Sequence, residues 1–220
     1  MAAEKTPLYP TNRIFDVFGW NGFPDALFYE TDFSLRFKLG EDLSEVPARF
    51  LQAMDRARYI ANALFDRSES LTAVISYFDG ERRTPRAAAS FKALSKMGFK
   101  ATFGPAEQTK QNNASYIAKF GGDLCKYWHS AKFSKTPHQV NALLWASITC
   151  KMPTMPKIRH LDAIYIIDFP RGIAATLYDD RGMDVIALDR APLQPLYEQF
   201  EEWLWNSDRP KMDRVFSRNF

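Results

Sequence analysis

Phe33, Leu35, Phe37 and Leu39 alternate with Ser34, Arg36 and Lys38, and the alternation stops at Gly40. A period of two sends successive side chains to opposite faces of a pleat, so a half-buried strand is predicted here. The period then lengthens. Phe50, Met54, Ala57, Ile60, Ala61 and Leu64 fall on one helical stripe, with Arg49, Gln52, Arg56 and Asn62 on the other side. Ser44 is the expected N-cap of that helix, with Pro47 in its first turn. Residues 71–78 are apolar and β-branched, which predicts a central strand. Thr84-Pro85 reads as an N-cap and N1 pair, and the helix over 85–97 is expected to stop at Gly98.

Residues 104–122 carry Gln, Asn and Lys before Gly121-Gly122, and a surface loop or insertion is expected. Residues 124–134 alternate again as a strand. Thr136-Pro137 repeats the capping pair before a helix over 137–151 with Val140, Leu143, Leu144, Ser147 and Ile148 on one face. Pro153 and Pro156 break the chain. Two short strands, 163–168 and 173–178, flank Arg171-Gly172, a hairpin signal. The turn Asp179-Asp180-Arg181-Gly182 leads to a third strand, 184–188. Pro192 opens a helix that buries Leu193, Leu196, Tyr197, Phe200, Trp203 and Leu204, and Asp208 is the expected cap of a last helix holding Met212, Val215 and Phe216.

Early alternation of strands and helices followed by clustered strands predicts an α+β fold. Its mainly antiparallel sheet carries packed helices, and its C-terminal β-meander is followed by two helices. Pro7, Pro10, Gly19, Gly22 and Pro24 punctuate the start of the chain between Phe15, Phe18, Trp20 and Phe23. Residues 1–26 are therefore expected to form an N-terminal arm pinned by aromatics, and residues 27–220 a single α+β domain.

Composition narrows the class. With 220 residues, 46% hydrophobic and 15% aromatic, the chain can bury a core, which excludes a disordered protein. Two cysteines, Cys125 and Cys150, exclude a disulfide scaffold and suit free thiols in a reducing cytoplasm. The N-terminus has no apolar signal-peptide core, and no run approaches the ~18 apolar residues of a spanning helix. A cytoplasmic protein that does not enter a membrane is expected. The net charge of +3 is unevenly spread. Residues 82–135 hold eleven Lys/Arg against two acids, a net of +9, while residues 161–208 hold three Arg against ten acids, a net of −7. A field of this kind steers charged partners if the segments reach different faces.

Catalytic signatures are absent: no GxGxxG, P-loop, GxSxG or HExxH occurs, and His129, His138 and His160 lack ligand-like spacing. No cofactor or bound metal is expected. The most specific local feature is Tyr178-Asp179-Asp180-Arg181-Gly182-Met183-Asp184. Its carboxylates suit a self-bonded turn, a basic partner, or a hard cation. In a structural role, Asp180 or Asp184 would pair with Arg181, Arg190 or Arg209 and tie the hairpin to the C-terminal helices. In Trp203-Leu204-Trp205, Trp203 continues the buried stripe, so Trp205 is the candidate exposed aromatic, a residue type that interfaces favour.

Three blocks together resemble a bacterial family, the domain of unknown function numbered 3885. They are Leu27-Phe28-Tyr29 with Ser34 to Gly40, then Leu144 to Ile148, then Tyr178 to Ile186 followed by Leu196-Tyr197, Trp203-Leu204, Asp208-Arg209, Met212-Asp213 and Phe216. The resemblance spans most of residues 27–216 and leaves out the arm and the 104–122 loop. Small cytoplasmic proteins of this kind accompany toxin genes as immunity factors, an analogy of class and not of motif. The expectation is thus an immunity protein, not an enzyme, that occludes a cognate toxin such as a nuclease. Its contacts would be Asp179, Asp180, Asp184, Glu198, Glu201, Glu202 and Trp205. Two alternatives stay open: a metal-dependent enzyme using the acidic turn on a phosphorylated or nucleotide substrate, and nucleic-acid binding through residues 82–135.

Overall fold

A computed structural model describes residues 10–24, 26–41, 45–110, 117, 124–150, 152, 155–156 and 158–217. Its elements in chain order are α1 (Pro10–Phe18), β1 (Ser34–Lys38), α2 (Val46–Leu64), β2 (Ser70–Gly80), α3 (Arg86–Lys96), β3 (Glu107–Lys110), β4 (Leu124–Ser134), α4 (Pro137–Thr149), β5 (Ala163–Asp168), β6 (Ile173–Leu177), β7 (Gly182–Ala187), α5 (Gln194–Gln199) and α6 (Arg209–Phe216). The fold is α+β. The strands form one sheet in the order β1-β7-β6-β5-β2-β4-β3, with every neighbouring pair antiparallel. The meander β5-β6-β7 continues through β1 at one edge, and β2, β4 and β3 extend the other side.

Both faces of the sheet are covered. Phe50, Ala57, Ile60 and Leu64 of α2 meet Leu143 and Leu144 of α4 and the sheet residues Leu35, Phe37, Ile75, Ile164 and Ile166 in the main core. On the opposite face, Ile14 and the aromatics after α1 cover Val74, Trp128, Tyr165, Ile167 and Phe169. Phe23 stacks on Trp128 at 4.8 Å and meets Tyr165 at 4.9 Å, and the Tyr165 hydroxyl donates to the Pro24 carbonyl at 2.8 Å. Two covered faces explain why β5, β6 and β7 read as continuous apolar runs: almost every side chain in them is buried. Strict alternation belongs to sheets with one wet face.

Local signals read well where they are self-contained. Thr136 caps α4, its hydroxyl accepting from the Gln139 N–H at 3.4 Å, and Pro137 takes the first turn. Several expectations need correction. Residues 10–18, read as part of an irregular arm, form a helix, with Ile14, Val17 and Phe18 at helical spacing toward the sheet. Part of the 104–122 loop is a strand, β3, paired with β4. Residues 111–116 and 118–122 of that loop and the Ser44 cap lie outside the described residues. Pro85 occupies the cap position of α3, because Thr84 is drawn to the Asp79 carboxylate through its N–H (2.6 Å) and hydroxyl (2.9 Å). The helix expected from Pro192 to Leu204 is shorter. It breaks after α5 into a 3-10 turn, Glu201–Trp203, and Leu204 then bridges to Phe37 on the sheet edge. Asp208 makes no side-chain cap on α6, since its carboxylate goes to Arg36.

His129 on β4 sits among Tyr77, Phe91 and Phe103. Burial holds its imidazole below the ordinary value of 6.5, with the Arg83 charge acting the same way. The unfolded chain therefore takes up a proton that the folded chain resists. This contribution is full above pH 6.5 and is lost as the pH falls through that value toward the folded one. His129→Phe is expected to flatten the decline in Tm between about pH 7.5 and 5.5, read by calorimetry.

Candidate functional site

The turn between β6 and β7 is built from the Tyr178–Gly182 segment, and each of its residues has a partner. Asp179 accepts from the backbone N–H of Arg181 and from its Nε, both at 2.8 Å. The main chain of the turn docks on the end of β1: the N–H of Leu39 donates to Arg181 O at 2.8 Å, and that of Gly40 to Asp180 O at 2.9 Å. A Cβ on Gly40 would stand 2.8 Å from that Asp180 oxygen, so the approach requires glycine there. The Asp180 carboxylate pairs with Arg49 on α2. Gly182 lies under the Tyr178 ring, with a virtual Cβ only 2.1 Å from the phenol oxygen.

Asp184 is the centre of the site. Its position on β7 lies directly opposite Arg36 on β1. The guanidinium grips the fully buried carboxylate with two bonds, Nε to Oδ1 at 2.7 Å and Nη2 to Oδ2 at 2.9 Å. The Phe28 N–H also donates to Oδ2 at 3.2 Å. The remaining Arg36 nitrogen reaches the Tyr29 hydroxyl (3.0 Å) and Asp208 (3.2 Å). Phe28 and Tyr29 lie 4.7 and 4.9 Å from the guanidinium carbon. Lys211 on α6 completes the cluster, donating to the carbonyls of Phe28 (2.5 Å) and Thr31 (3.0 Å). Burial pulls the Arg36 guanidinium down, but its bonds and charge contact with Asp184 outweigh that and hold it above the usual arginine range. Burial, then the Asp184 charge, raises the Tyr178 phenol well above its usual range. Burial, aided by the Arg36 charge, lowers Lys211.

Such a network holds elements together. Bidentate guanidinium–carboxylate pairs fix geometry as well as charge. Asp184, Asp179 and Asp180 are buried, so they form a lock between β1, α2, the turn and α6 and do not present an exposed acidic surface. The partners differ from those read in the sequence. Arg181 takes Asp179, Arg209 takes Glu201 and Asp213, and Arg190 bonds Gln194 and the Phe216 carbonyl. Arg36, Arg49, Tyr178 and Lys211 were missed as site residues. Arg36 did carry a signal, as a long cation at a polar position of an alternating strand. Among the described residues, no group of three or more His, Cys, Asp or Glu is arranged to hold a metal ion.

Glu198, Glu201 and Glu202 are exposed around α5 and the 3-10 turn, while Trp205 is half-buried and its backbone N–H donates to Arg36 O at 2.9 Å. Beside Glu201 and Glu202, half-buried Trp203 faces the Tyr59 ring at 6.3 Å, and Tyr59 is 61% exposed. The acidic segment thus shows solvent only part of its charge, since Asp168 is buried as well. The basic segment shows more: Arg82, Arg83, Lys92, Lys96, Lys100, Lys110 and Lys132 are all exposed. The sheet order carries the acidic cluster to the β1 edge and these cations to the β3–β4 end. Six strand spacings of ~4.8 Å, roughly 29 Å, separate those edges. No helix among the described residues is long and apolar enough to cross a membrane.

Comparison with known proteins adds the family. The uncharacterized protein YnaE of Bacillus subtilis (strain 168) is 34% identical over 71 residues, which is 30% of this chain and 33% of YnaE. The chain therefore spans about a third of that relative's length. No solved structure matches it. The family described as domain of unknown function (DUF3885) matches residues 11–208, from α1 through the β1–β7 lock to Asp208. The match includes residues 11–26 and 104–122, and with nearly the whole described fold inside it, the chain belongs to the DUF3885 family.

Proposed function

We propose that this chain is a protein-binding module, and that it works in the cytoplasm as an immunity protein that occludes a bacterial toxin. The observation that carries this reading is the exposed Tyr59 ring beside Trp203, bordered by exposed Glu201 and Glu202 with Glu198 one turn away. An aromatic anchor within a charged rim is the composition of an interface hot spot. A basic toxin surface, such as a nuclease cleft, is its electrostatic complement. Support against the metal-dependent alternative comes from the turn, whose carboxylates are occupied by Arg36, Arg49 and Arg181. The exposed cations at the β3–β4 end favour nucleic-acid binding as a second reading, which predicts an affinity that falls steeply with salt.

The test is kinetic. Glu198→Lys, Glu201→Lys and Glu202→Lys combined are expected to slow association with the captured toxin by about tenfold or more at low salt. Tyr59→Ala is expected to act mainly by speeding dissociation. Unchanged rates in both variants would exclude this surface as the interface.

A further inference from the structure

A second surface of different character lies on the other flank of α2. Between α2, the end of α3 and α4 runs an open groove of about 530 Å³. Met54, Met97, Ala142 and Trp145 line it together with the polar side chains Arg58, His138 and Asn141. Trp145 is held in place at both ends. Its ring meets Phe50 edge-on at 4.9 Å, and its indole N–H donates to the Pro156 carbonyl at 2.9 Å. Leu51, one turn before Met54 and Asp55 on α2, is exposed, as is Met155 beside Pro156. Methionine adapts its shape to varied apolar partners, and a preformed tryptophan supplies contact area at little entropic cost.

The charge around this groove has one sign in excess. Lys96, next to Met97, is exposed, and so is Lys100, whose N–H bonds Gln139 beside His138. The N-terminus of α4, a 13-residue helix, opens at the same end. The positive end of its helix dipole favours negative charge. Arg58 is shared with Asp55, the acid on the adjacent ridge of α2. Two packed helices with an apolar trough between them accept a third helix through side chains at i, i+3, i+4 and i+7. We infer that this groove docks an amphipathic helix of a partner protein whose polar flanks are acidic. This groove is lined by neither Tyr59 nor Trp203.

The test uses two synthetic amphipathic peptides of about 18 residues, long enough for measurable helix formation. They share one Leu/Phe face and differ only in flanking Glu or Lys. Each is titrated into the full chain labelled with ¹³C at the methionine methyls. The Glu peptide is expected to saturate, moving Met54 and Met97 while leaving Met183 and Met212 in place. The Lys peptide is expected to bind at least about tenfold more weakly. Lys96→Glu with Lys100→Glu, both exposed and outside the core, is expected to reverse that preference. Equal affinity for the two peptides, shifts spread over all the methionines, or no saturable binding by either peptide would overturn the inference.

Discussion

Asp184→Ala is expected to lower folding stability by about 3–5 kcal/mol, the usual cost of stranding one member of a buried ion pair. The loss has three sources. Arg36 keeps its charge in a poorly hydrated site, the Phe28 N–H loses its acceptor, and the β1–β7 edge loses its cross-strand clasp. Urea unfolding of the variant measures it. The companion variant, Arg36→Met with Asp184→Leu, should recover much of the loss, because an apolar pair of similar volume carries no desolvation penalty. A loss below about 1 kcal/mol for Asp184→Ala would mean that water already reaches the carboxylate.

Gly182→Ala is expected to cost about 1–3 kcal/mol, the range for forcing atoms into a packed site. The added methyl would meet the Tyr178 phenol oxygen at 2.1 Å, so the ring must leave its place. That ring lies 5.8 Å from the Arg36 guanidinium carbon, and moving it opens the lock to solvent. In a Tyr178→Ala background the same substitution should be nearly neutral. Equal losses in both backgrounds would place the strain in the backbone of the turn instead.

The contrast between the turn and its partners shows what the sequence carries. Asp179, Asp180, Gly182 and Asp184 stand out as a motif because four constrained positions fall within six residues. Their role is invisible there, since the decisive bond joins Arg36 to Asp184 across 148 positions. Strand pairing at that range depends on the sheet order, which no local pattern encodes. The same limit explains the C-terminal helix. Leu193 to Leu204 keeps a helical stripe, yet the chain leaves the helix and Leu204 bridges to Phe37 on β1. α1 was hidden for a different reason: prolines and glycines around it mark loops, although Pro10 suits the first position of a helix and Ile14, Val17 and Phe18 repeat at its period. β2, β4 and α4 were legible because an apolar β-branched run, an alternation and a capped helical stripe are local signals. Of the expected contact residues, Glu198, Glu201 and Glu202 reach solvent, whereas Asp179, Asp180 and Asp184 belong to the lock.

The binding proposal is tested most directly by capturing the tagged full chain from its native cell extract at moderate salt and identifying what co-elutes by mass spectrometry. One stoichiometric protein, a toxin domain, is expected to co-elute, with a yield that drops for the Glu198→Lys, Glu201→Lys, Glu202→Lys variant. Recovery of nucleic acid alone, or of nothing, would contradict it.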